Sequence, residues 1–196
     1  MDWDGNFQHK GLIDITSLKA LVSRQSNADW EQDAHRQTTF PPHRFTQTIP
    51  LLFDADFRHE NPTPQSKFAV FEQELRPVFE FLAKTYGPDG SSVRCILTRL
   101  APGLRIPRHC DEGFSLCYSH RVHIPIASNE SVFFRVGGEE IAMKEGEVWE
   151  INNMRAHAVR NDGETPRIHL IVDWAPPLTA RQRAIRELEE RAFQAR

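Results

Sequence analysis

The spacing of apolar residues along the chain changes once, near residue 93. Before that point, apolar residues follow Ser66 at intervals of three and four as far as Gly87, which predicts a long amphipathic helix capped by Ser66. Pro77 interrupts the pattern and predicts a kink or two abutting helices. A shorter pattern predicts a helix over residues 17–24, and the proline-containing stretch 40–53 predicts an extended strand or loop.

From residue 93 onward, apolar and polar residues alternate in short runs, with the period of β-strands. Turn residues separate the runs, and Gly137-Gly138 between two of them is typical of a two-residue hairpin. About eight short strands joined by tight turns predict a mainly β fold with flanking helices, either an antiparallel sandwich or a jelly-roll barrel. The main runs are 93–100, 120–127, 131–136, 139–143, 147–151, 156–161 and 167–174.

The residues after Pro176-Pro177 predict a charged C-terminal helix. Thr179 and Gln182 have the spacing of a capping box at its start. The helix carries a narrow apolar stripe, which either docks on the rest of the domain or pairs with a second copy of the chain in a homodimer. The stripe consists of Ile185, Leu188, Ala192 and Phe193.

These patterns predict one domain over residues 1–196. Its parts are a helical and extended N-terminal portion (1–92), a β core (93–175) and the C-terminal helix (176–196). A hydrophobic content of 39% and a charged content of 26% are ordinary for a globular domain. They exclude a wholly disordered chain and a coiled coil.

Charge and cysteine content narrow the partners and the compartment. A formal net charge of −3 offers no basic field for nucleic acid, and no apolar run approaches the roughly 18 residues of a membrane span. Three cysteines do not make a disulfide scaffold, and the N-terminal residues lack the pattern of a signal peptide. We therefore expect a reduced, cytoplasmic location, with no nucleic-acid or membrane partner.

Two of the predicted strands carry polar residues on one face and aliphatic residues on the other, because alternate residues of a strand share a face. We expect the aliphatic faces to pack under the N-terminal helices and the polar faces to point into a barrel. A barrel lined by such side chains is a site rather than a packed core. The polar faces carry Arg121 and His123 in one strand, and Arg167, His169 and Asp173 in the other.

His109, Asp111 and His157 are the residues best suited to hold a metal ion. His109 and Asp111 are two positions apart in a predicted strand, so both side chains are expected on one face. His157 comes from a distant strand. An H-x-D pair is common by chance. The prediction of a metal site therefore depends on the later histidine and on the inward arginines. Two imidazoles and one carboxylate can hold iron(II) as a facial triad with open coordination positions.

The inward arginines Arg121 and Arg167 suggest an anionic ligand near that metal. A guanidinium stays charged in a barrel and needs an anion or hydrogen-bond acceptor there. A small dicarboxylate could chelate the metal with one end and accept hydrogen bonds from arginine with the other. The alternative is a salt bridge within the protein, for example between Arg167 and Asp173.

The motifs around these residues resemble the aspartyl/asparaginyl β-hydroxylase family of iron(II)- and 2-oxoglutarate-dependent oxygenases. Their order and spacing are preserved over residues 93–174. The resemblance is to the bacterial members with a complete facial triad, near proline hydroxylase, because Asp111 is present. The motifs read LTRLAPGLRIPRHCD, HRVHIPI, GEVWEINNMRAHAVRND and RIHLIVDW.

The resemblance implies a cupin-like double-stranded β-helix that uses Fe(II), 2-oxoglutarate as co-substrate and O2. It implies His109 and His157 as iron ligands, with Asp111 at the carboxylate position. It implies that Arg167 binds the distal carboxylate of 2-oxoglutarate and that Thr98 contacts the same molecule. It also places Arg121 and His123 near the carboxylate at the metal.

The expected reaction is hydroxylation of an amino acid, or of an amino-acid residue in a larger substrate. The alternatives are hydroxylation of a lipid or acyl chain, and a non-catalytic cupin-like sensor that binds a metal. Trp149 is a candidate cavity wall, with core packing as the alternative. Arg36 and His43 could reach over the barrel mouth to bind a substrate carboxylate, or they could be solvated.

Overall fold

Two antiparallel sheets form the body of the molecule, and the computed structural model describes residues 3–54 and 62–194. The larger sheet has seven strands, which in spatial order are β1 (Phe7–Leu12), β9 (Glu147–Ile151), β6 (His120–Ala127), β11 (Arg167–Ala175), β4 (Ser91–Leu100), β2 (Thr46–Asp54) and β3 (Pro62–Pro64). The smaller sheet has four, in the order β5 (Arg105–His109), β10 (His157–Asn161), β7 (Val132–Val136) and β8 (Glu139–Ile141).

Helices flank the sheets, and most of them precede the β core. A short 3-10 helix, Pro41–His43, follows α3 and leads into β2. The α-helices are α1 (Thr16–Ser23), α2 (Asn27–Glu31), α3 (His35–Thr39), α4 (Phe68–Tyr86), α5 (Phe114–Tyr118) and α6 (Ala180–Gln194).

The main apolar core lies between the outer face of the larger sheet and two N-terminal helices. Burial of these aliphatic side chains away from water is the principal stabilising contribution. The prediction that the aliphatic faces pack under the helices is confirmed. The contact involves Leu18 and Val22 of α1, Phe71, Leu75, Val78 and Leu82 of α4, and Leu97, Val122, Ile124, Leu170 and Val172 of the sheet.

A second, smaller core fills one part of the space between the two sheets. It includes Leu100 and Ile151 from the larger sheet, and Phe134 and Val159 from the smaller one. The remaining interior is lined by charged and polar side chains of β4, β6 and β11. The expectation of a polar barrel interior is therefore confirmed, and this interior contains the candidate site.

Several elements differ from the sequence prediction. The apolar pattern after Ser66 forms one continuous helix that carries Pro77 inside it, and Lys67 precedes the helix without a side-chain cap from Ser66. The strand β1, the edge strand β3 and the short helices α2, α3 and α5 were not predicted. The predicted strands 120–127 and 147–151 have the observed bounds, and the Gly137-Gly138 hairpin joins β7 to β8.

The C-terminal helix begins with the predicted capping box. The backbone N–H of Gln182 donates to Oγ1 of Thr179 at 3.2 Å, and the Thr179 N–H donates to Oε1 of Gln182 at 2.8 Å. Leu188 of the apolar stripe is 64% exposed. Docking on the domain and pairing in a homodimer both stay predictions. Within the described residues, no helix has the length and apolar character needed to cross a bilayer.

A buried carboxylate, Glu150, ties together the edge of the larger sheet. It accepts hydrogen bonds from Nδ1 of His120 at 2.7 Å and from the hydroxyl of Tyr86 at 2.9 Å, and it pairs with Lys10 at 2.8 Å. Burial raises the pKa of this carboxyl, but the hydrogen bonds from His120 and Lys10 outweigh that effect and leave the pKa below its usual value.

Replacing Glu150 by glutamine should lower the free energy of unfolding by about 2 kcal/mol at neutral pH, because charge-assisted hydrogen bonds are lost. A carboxyl with a lowered folded pKa stabilises the protein above its unfolded pKa, and this stabilisation disappears as pH falls through the folded value. The difference between wild type and variant should therefore be largest above pH 4.5 and shrink below it.

Urea denaturation across this pH range measures the difference. Glu145→Gln is the matched control, because Glu145 pairs with Lys19 on the surface, where their side chains are 37% and 47% exposed. A surface pair contributes little, so the control should change stability by less than about 1 kcal/mol. A Glu150 effect that does not depend on pH would contradict the assignment.

Candidate metal and carboxylate site

Three potential ligand atoms converge where β5 and β10 pair. His109 ends β5 and His157 begins β10, and the two residues are directly opposite each other in the ladder. Their ring centroids are 4.2 Å apart. One ligand atom each from His109, Asp111 and His157 lies within 4.8 Å of the other two. The predicted grouping of these three residues is thus present.

Both histidines present a lone pair to the centre of this group. Nδ1 of His109 lies 2.9 Å from the Pro107 carbonyl, and Nδ1 of His157 lies 3.0 Å from the Arg155 carbonyl. A carbonyl only accepts, so each Nδ1 carries the proton and each neutral ring has a free lone pair at Nε2. Burial lowers the pKa of His157 to about 4, which favours this neutral form.

Asp111 reaches the group from a loop, contrary to the sequence prediction. Strand β5 ends at His109, so the two side chains do not share a strand face. Instead, the Asp111 backbone N–H donates to the Asn153 carbonyl at 3.2 Å, and Gly113 turns the chain into α5 with a φ of +106°. Glycine adopts this backbone conformation without steric cost.

The Asp111 carboxylate is held in its charged form by a neighbouring arginine. Nε of Arg121 lies 3.2 Å from Oδ2 of Asp111. Burial works against the charge, but Arg121 outweighs it and holds the pKa of Asp111 below its usual value. A charged carboxylate beside two neutral imidazoles is the donor set of a facial iron(II) site.

Arg121 is itself part of a buried row of alternating charges. Asp173 on β11 is opposite Arg121 on β6 and Arg94 on β4. Nη1 of Arg121 lies 3.1 Å from Asp173, and Nη2 of Arg94 lies 2.9 Å from Asp54. The row thus runs from Asp54 through Arg94, Asp173 and Arg121 to Asp111, and it orients the carboxylate of Asp111.

Arg167 differs from the other buried arginines, because it forms no ion pair with any residue that the structure describes. Its side chain is 1% exposed, and Nε and Nη2 have no hydrogen-bond partner. Nη1 donates to the hydroxyl of Thr98 at 3.3 Å. Asp173, the partner considered from sequence, is taken by Arg94 and Arg121. A buried, unpaired guanidinium is costly and marks a place where an anion is stabilised.

Two histidines near Arg167 also lack partners. His123 and His169 are buried, their ring centroids are 5.7 Å apart, and no described group bonds to any of their four ring nitrogens. Burial lowers the pKa of both rings well below the usual value, which keeps them neutral. His123 lines the same inner cavity as Arg167 and Thr98, as the sequence predicted.

The triad and Arg167 line a narrow inner cavity, which lies beside a wider outer one. The inner cavity has a volume of about 20 Å³, room for a single water molecule. The outer cavity measures about 440 Å³ and shares His109, Asp111 and Arg121 with the inner one. Its apolar walls are formed by Phe40, Pro41, Pro42, Phe53 and Leu116.

Arg36 and His43 line both cavities. Nη2 of Arg36 lies 3.1 Å from Nε2 of His43, and the His43 ring meets that of His109 edge-on at 4.9 Å between centroids. The segment of α3 and the following 3-10 helix thus reaches over the barrel mouth, as considered from the sequence. Burial, followed by the charge of Arg36, lowers the pKa of His43.

Trp149 is not brought to either cavity. Its indole N–H donates to Glu147 at 2.8 Å, and its ring packs against Phe7 and His9 of β1. Trp149 therefore packs within the protein, which was the alternative to its forming a cavity wall. Sequence reasoning missed the roles of Arg94 and Asp54, although alternation along β4 places Arg94 on the same face as Thr98.

The residues present fit an iron(II) ion and a dicarboxylate. Nε2 of His109 is buried and accepts no hydrogen bond from a described group, as expected of an atom that ligates a metal. Asp111 adds a charged carboxylate, whose Oδ2 also lies 3.2 Å from Nε of Arg121. The unpaired nitrogens of Arg167 offer a bidentate contact for a carboxylate. The arrangement can therefore hold a metal with open positions and an anion anchored beside it.

Comparison with known proteins gives one sequence family. The family described as aspartyl/asparaginyl beta-hydroxylase matches residues 72–177. This range contains the triad, Arg167 and the inward faces of β4, β6 and β11, but not Arg36 or His43. No curated protein sequence is significantly similar to the chain.

Solved structures share the fold at low sequence identity. An oxidoreductase of the 2OG-Fe(II) oxygenase family from Burkholderia pseudomallei is 16% identical with a TM-score of 0.54, over 73% of this chain and 79% of that one. AviO1 from Streptomyces viridochromogenes Tue57 is 12% identical with a TM-score of 0.54, over 89% and 91%. The viral collagen prolyl hydroxylase of Paramecium bursaria Chlorella virus-1 is 12% identical with a TM-score of 0.55, over 88% and 97%.

Proposed function

Because the chain belongs to the aspartyl/asparaginyl β-hydroxylase family, we propose that it hydroxylates an unactivated C–H bond of an amino acid, either free or within a larger substrate. The chain is an oxygenase that uses Fe(II), 2-oxoglutarate and O2. The observation that carries the proposal is Arg167, a fully buried guanidinium without a counterion in the cavity that contains the triad.

The roles of the site residues follow from their surroundings. His109, Asp111 and His157 would hold the iron and leave positions open for the co-substrate and dioxygen. Arg167, with Thr98 beside it, would bind the distal carboxylate of 2-oxoglutarate. Arg121 keeps Asp111 charged and oriented, and His123 offers unpaired nitrogens to the same cavity.

When bound, iron, 2-oxoglutarate and O2 together supply the oxidising power. One oxygen atom enters the C–H bond as hydroxyl, the other enters succinate, and CO2 is released. The protein contributes open geometry at the metal, orientation of both organic molecules and exclusion of water. The apolar part of the outer cavity wall, which includes Phe40, Phe53 and Leu116, supports that exclusion.

Binding of 2-oxoglutarate should widen the inner cavity, because about 20 Å³ does not hold a five-carbon diacid. Arg167, His123 and Thr98 belong to paired strands of the larger sheet. Arg36 and His43 belong to short helical segments at the mouth. We therefore expect the inner cavity to widen at its mouth, while the sheet keeps Arg167, His123 and Thr98 in place.

The function is tested by two measurements on the purified protein. Anaerobic addition of Fe(II) and then 2-oxoglutarate should produce the weak visible absorption of an iron-chelated keto acid. In air, a screen of free amino acids, peptides and acyl compounds should show succinate formation coupled to a product one oxygen atom heavier. Binding of metal without any effect of 2-oxoglutarate would favour the sensor alternative, and conversion of acyl compounds alone would favour a lipid hydroxylase.

A further inference from the structure

Arg36 is a second cation at the site without a carboxylate partner. Within residues 3–54 and 62–194 its side chain forms no ion pair and contacts Nε2 of His43. Because Nδ1 of a neutral histidine carries the proton when Nε2 accepts, His43 can hold the guanidinium without neutralising it. Burial and the nearby charge of Arg121 lower the pKa of Arg36 to about 9, so the position favours an anion.

Arg36 is connected to the predicted metal ligand His109 through His43. Arg36 contacts His43, and the His43 ring packs edge-on against the ring of His109. The His43 ring therefore separates Arg36 from the predicted iron ligand His109. Arg36 lines both the inner and the outer cavity. A group bound to Arg36 would hold the rest of its molecule in the outer cavity, close to the metal.

Apart from the exposed Glu112, the charges around the cavities leave one positive charge for the substrate. Among the described buried residues, Asp54 and Asp173 balance Arg94 and Arg121. An iron(II) ion, Asp111 and Arg167 then carry a net charge of about +2, which the two carboxylates of 2-oxoglutarate neutralise. The guanidinium of Arg36 remains, half-buried at the mouth and without a counterion among the described residues, so it can pair with an anionic group of the substrate.

From these observations we propose that Arg36 binds the free α-carboxylate of an amino acid with an apolar side chain, and so selects free amino acids over internal peptide residues. This inference rests on the proposed function and names its substrate class. The outer cavity of about 440 Å³ is in the size range of a small-molecule site. Its aromatic, leucine and proline walls suit an apolar side chain.

The outer cavity also has a candidate contact for the amino group. Glu112, next to Asp111, lines the cavity, and no described cation pairs with it. A cation at one side and a carboxylate at another match the two charges of a zwitterion. An acyl carboxylate would satisfy Arg36 in the same way, and the comparison with octanoate below distinguishes it from an amino acid.

The test uses L-valine, L-leucine, L-proline and L-phenylalanine with their carboxamides as probes. Binding is measured by anaerobic calorimetry on the protein loaded with Fe(II) and 2-oxoglutarate, and hydroxylation by product mass in air. At least one acid should bind, and its carboxamide should bind at least about 100-fold more weakly, because the charge-assisted pair is lost. Arg36→Leu should bind acid and carboxamide alike, and Arg36→Lys should recover part of the difference.

Arg44→Leu is the matched control, because Arg44 is exposed, stacks on Phe45 and does not line either cavity. It should leave the preference for the acid unchanged. Equal binding of acid and carboxamide by the wild type would overturn the inference, as would a preference for a capped peptide or for octanoate. Weaker 2-oxoglutarate binding by Arg36→Leu would instead assign Arg36 to the co-substrate. If the wild type does not bind 2-oxoglutarate at all, the proposed function itself is refuted.

Discussion

Replacing His157 by alanine is expected to abolish succinate formation and to weaken Fe(II) binding by more than about 100-fold. Loss of a group that merely orients a ligand costs 10–100-fold in metal affinity, so loss of a ligand should cost more. His157 begins β10 and is held by a hydrogen bond to the Arg155 carbonyl, so its imidazole is preoriented for the metal. Titration of the metal-free protein with Fe(II) under anaerobic conditions measures the affinity directly.

His9→Ala is the control for this substitution. His9 is exposed on β1, where its ring packs against Trp149 and is remote from both cavities. The control should bind iron and turn over as the wild type does. Continued turnover by His157→Ala would show that another side chain ligates the metal. A thermal unfolding profile close to that of wild type would confirm that the variant is folded.

Replacing Arg167 by methionine should weaken 2-oxoglutarate binding without lowering the stability of the ligand-free protein. If Arg167 had a structural role, its replacement would lower that stability. The affinity for 2-oxoglutarate should fall by about 100-fold or more, equivalent to about 3 kcal/mol, because a buried carboxylate loses its partner. Fe(II) affinity should change little, because Arg167 does not contact the triad carboxylate. The free energy of unfolding of the ligand-free protein should stay the same or rise, since a buried unpaired charge has been removed.

Calorimetry with 2-oxoglutarate and urea denaturation of the ligand-free protein measure the two properties. Arg160→Met provides the comparison, because that guanidinium pairs with Glu140 and Asp162 on the surface. It should leave 2-oxoglutarate binding unchanged. An Arg167→Met protein that is markedly less stable but binds 2-oxoglutarate normally would place Arg167 in a structural role.

The β core could be predicted well because its strands have one aliphatic and one polar face. Alternation along residues 120–127 and 167–174 located strands β6 and β11 and also showed which side chains face the cavity. The strand β3 contains two prolines, and this composition does not predict a strand. Proline is tolerated there because β3 lies at the edge of the sheet, where one side of the strand has no partner.

The site was predictable where strand geometry fixes it and less so where loops do. His109 and His157 meet because β5 and β10 pair, whereas Asp111 arrives through a loop that an i, i+2 rule does not describe. Arg36 could only be suspected, because a five-residue helix has too little periodicity to show which way its side chains point. The burial of Trp149 against β1 depends on a strand that the sequence pattern did not reveal.

The segment that contributes Arg36 and His43 precedes the stretch that the family shares, residues 72–177. Two contributions to the cavity therefore come from different parts of the gene: the oxidising centre from the sheets, and one wall of the outer cavity from residues 35–43. The residues that hold the metal and most residues that could contact the substrate at the mouth are thus separate in sequence. Substitutions in that short stretch would reshape one wall of the outer cavity without replacing any of the three ligands, although His43 would have to be kept for its contact with His109.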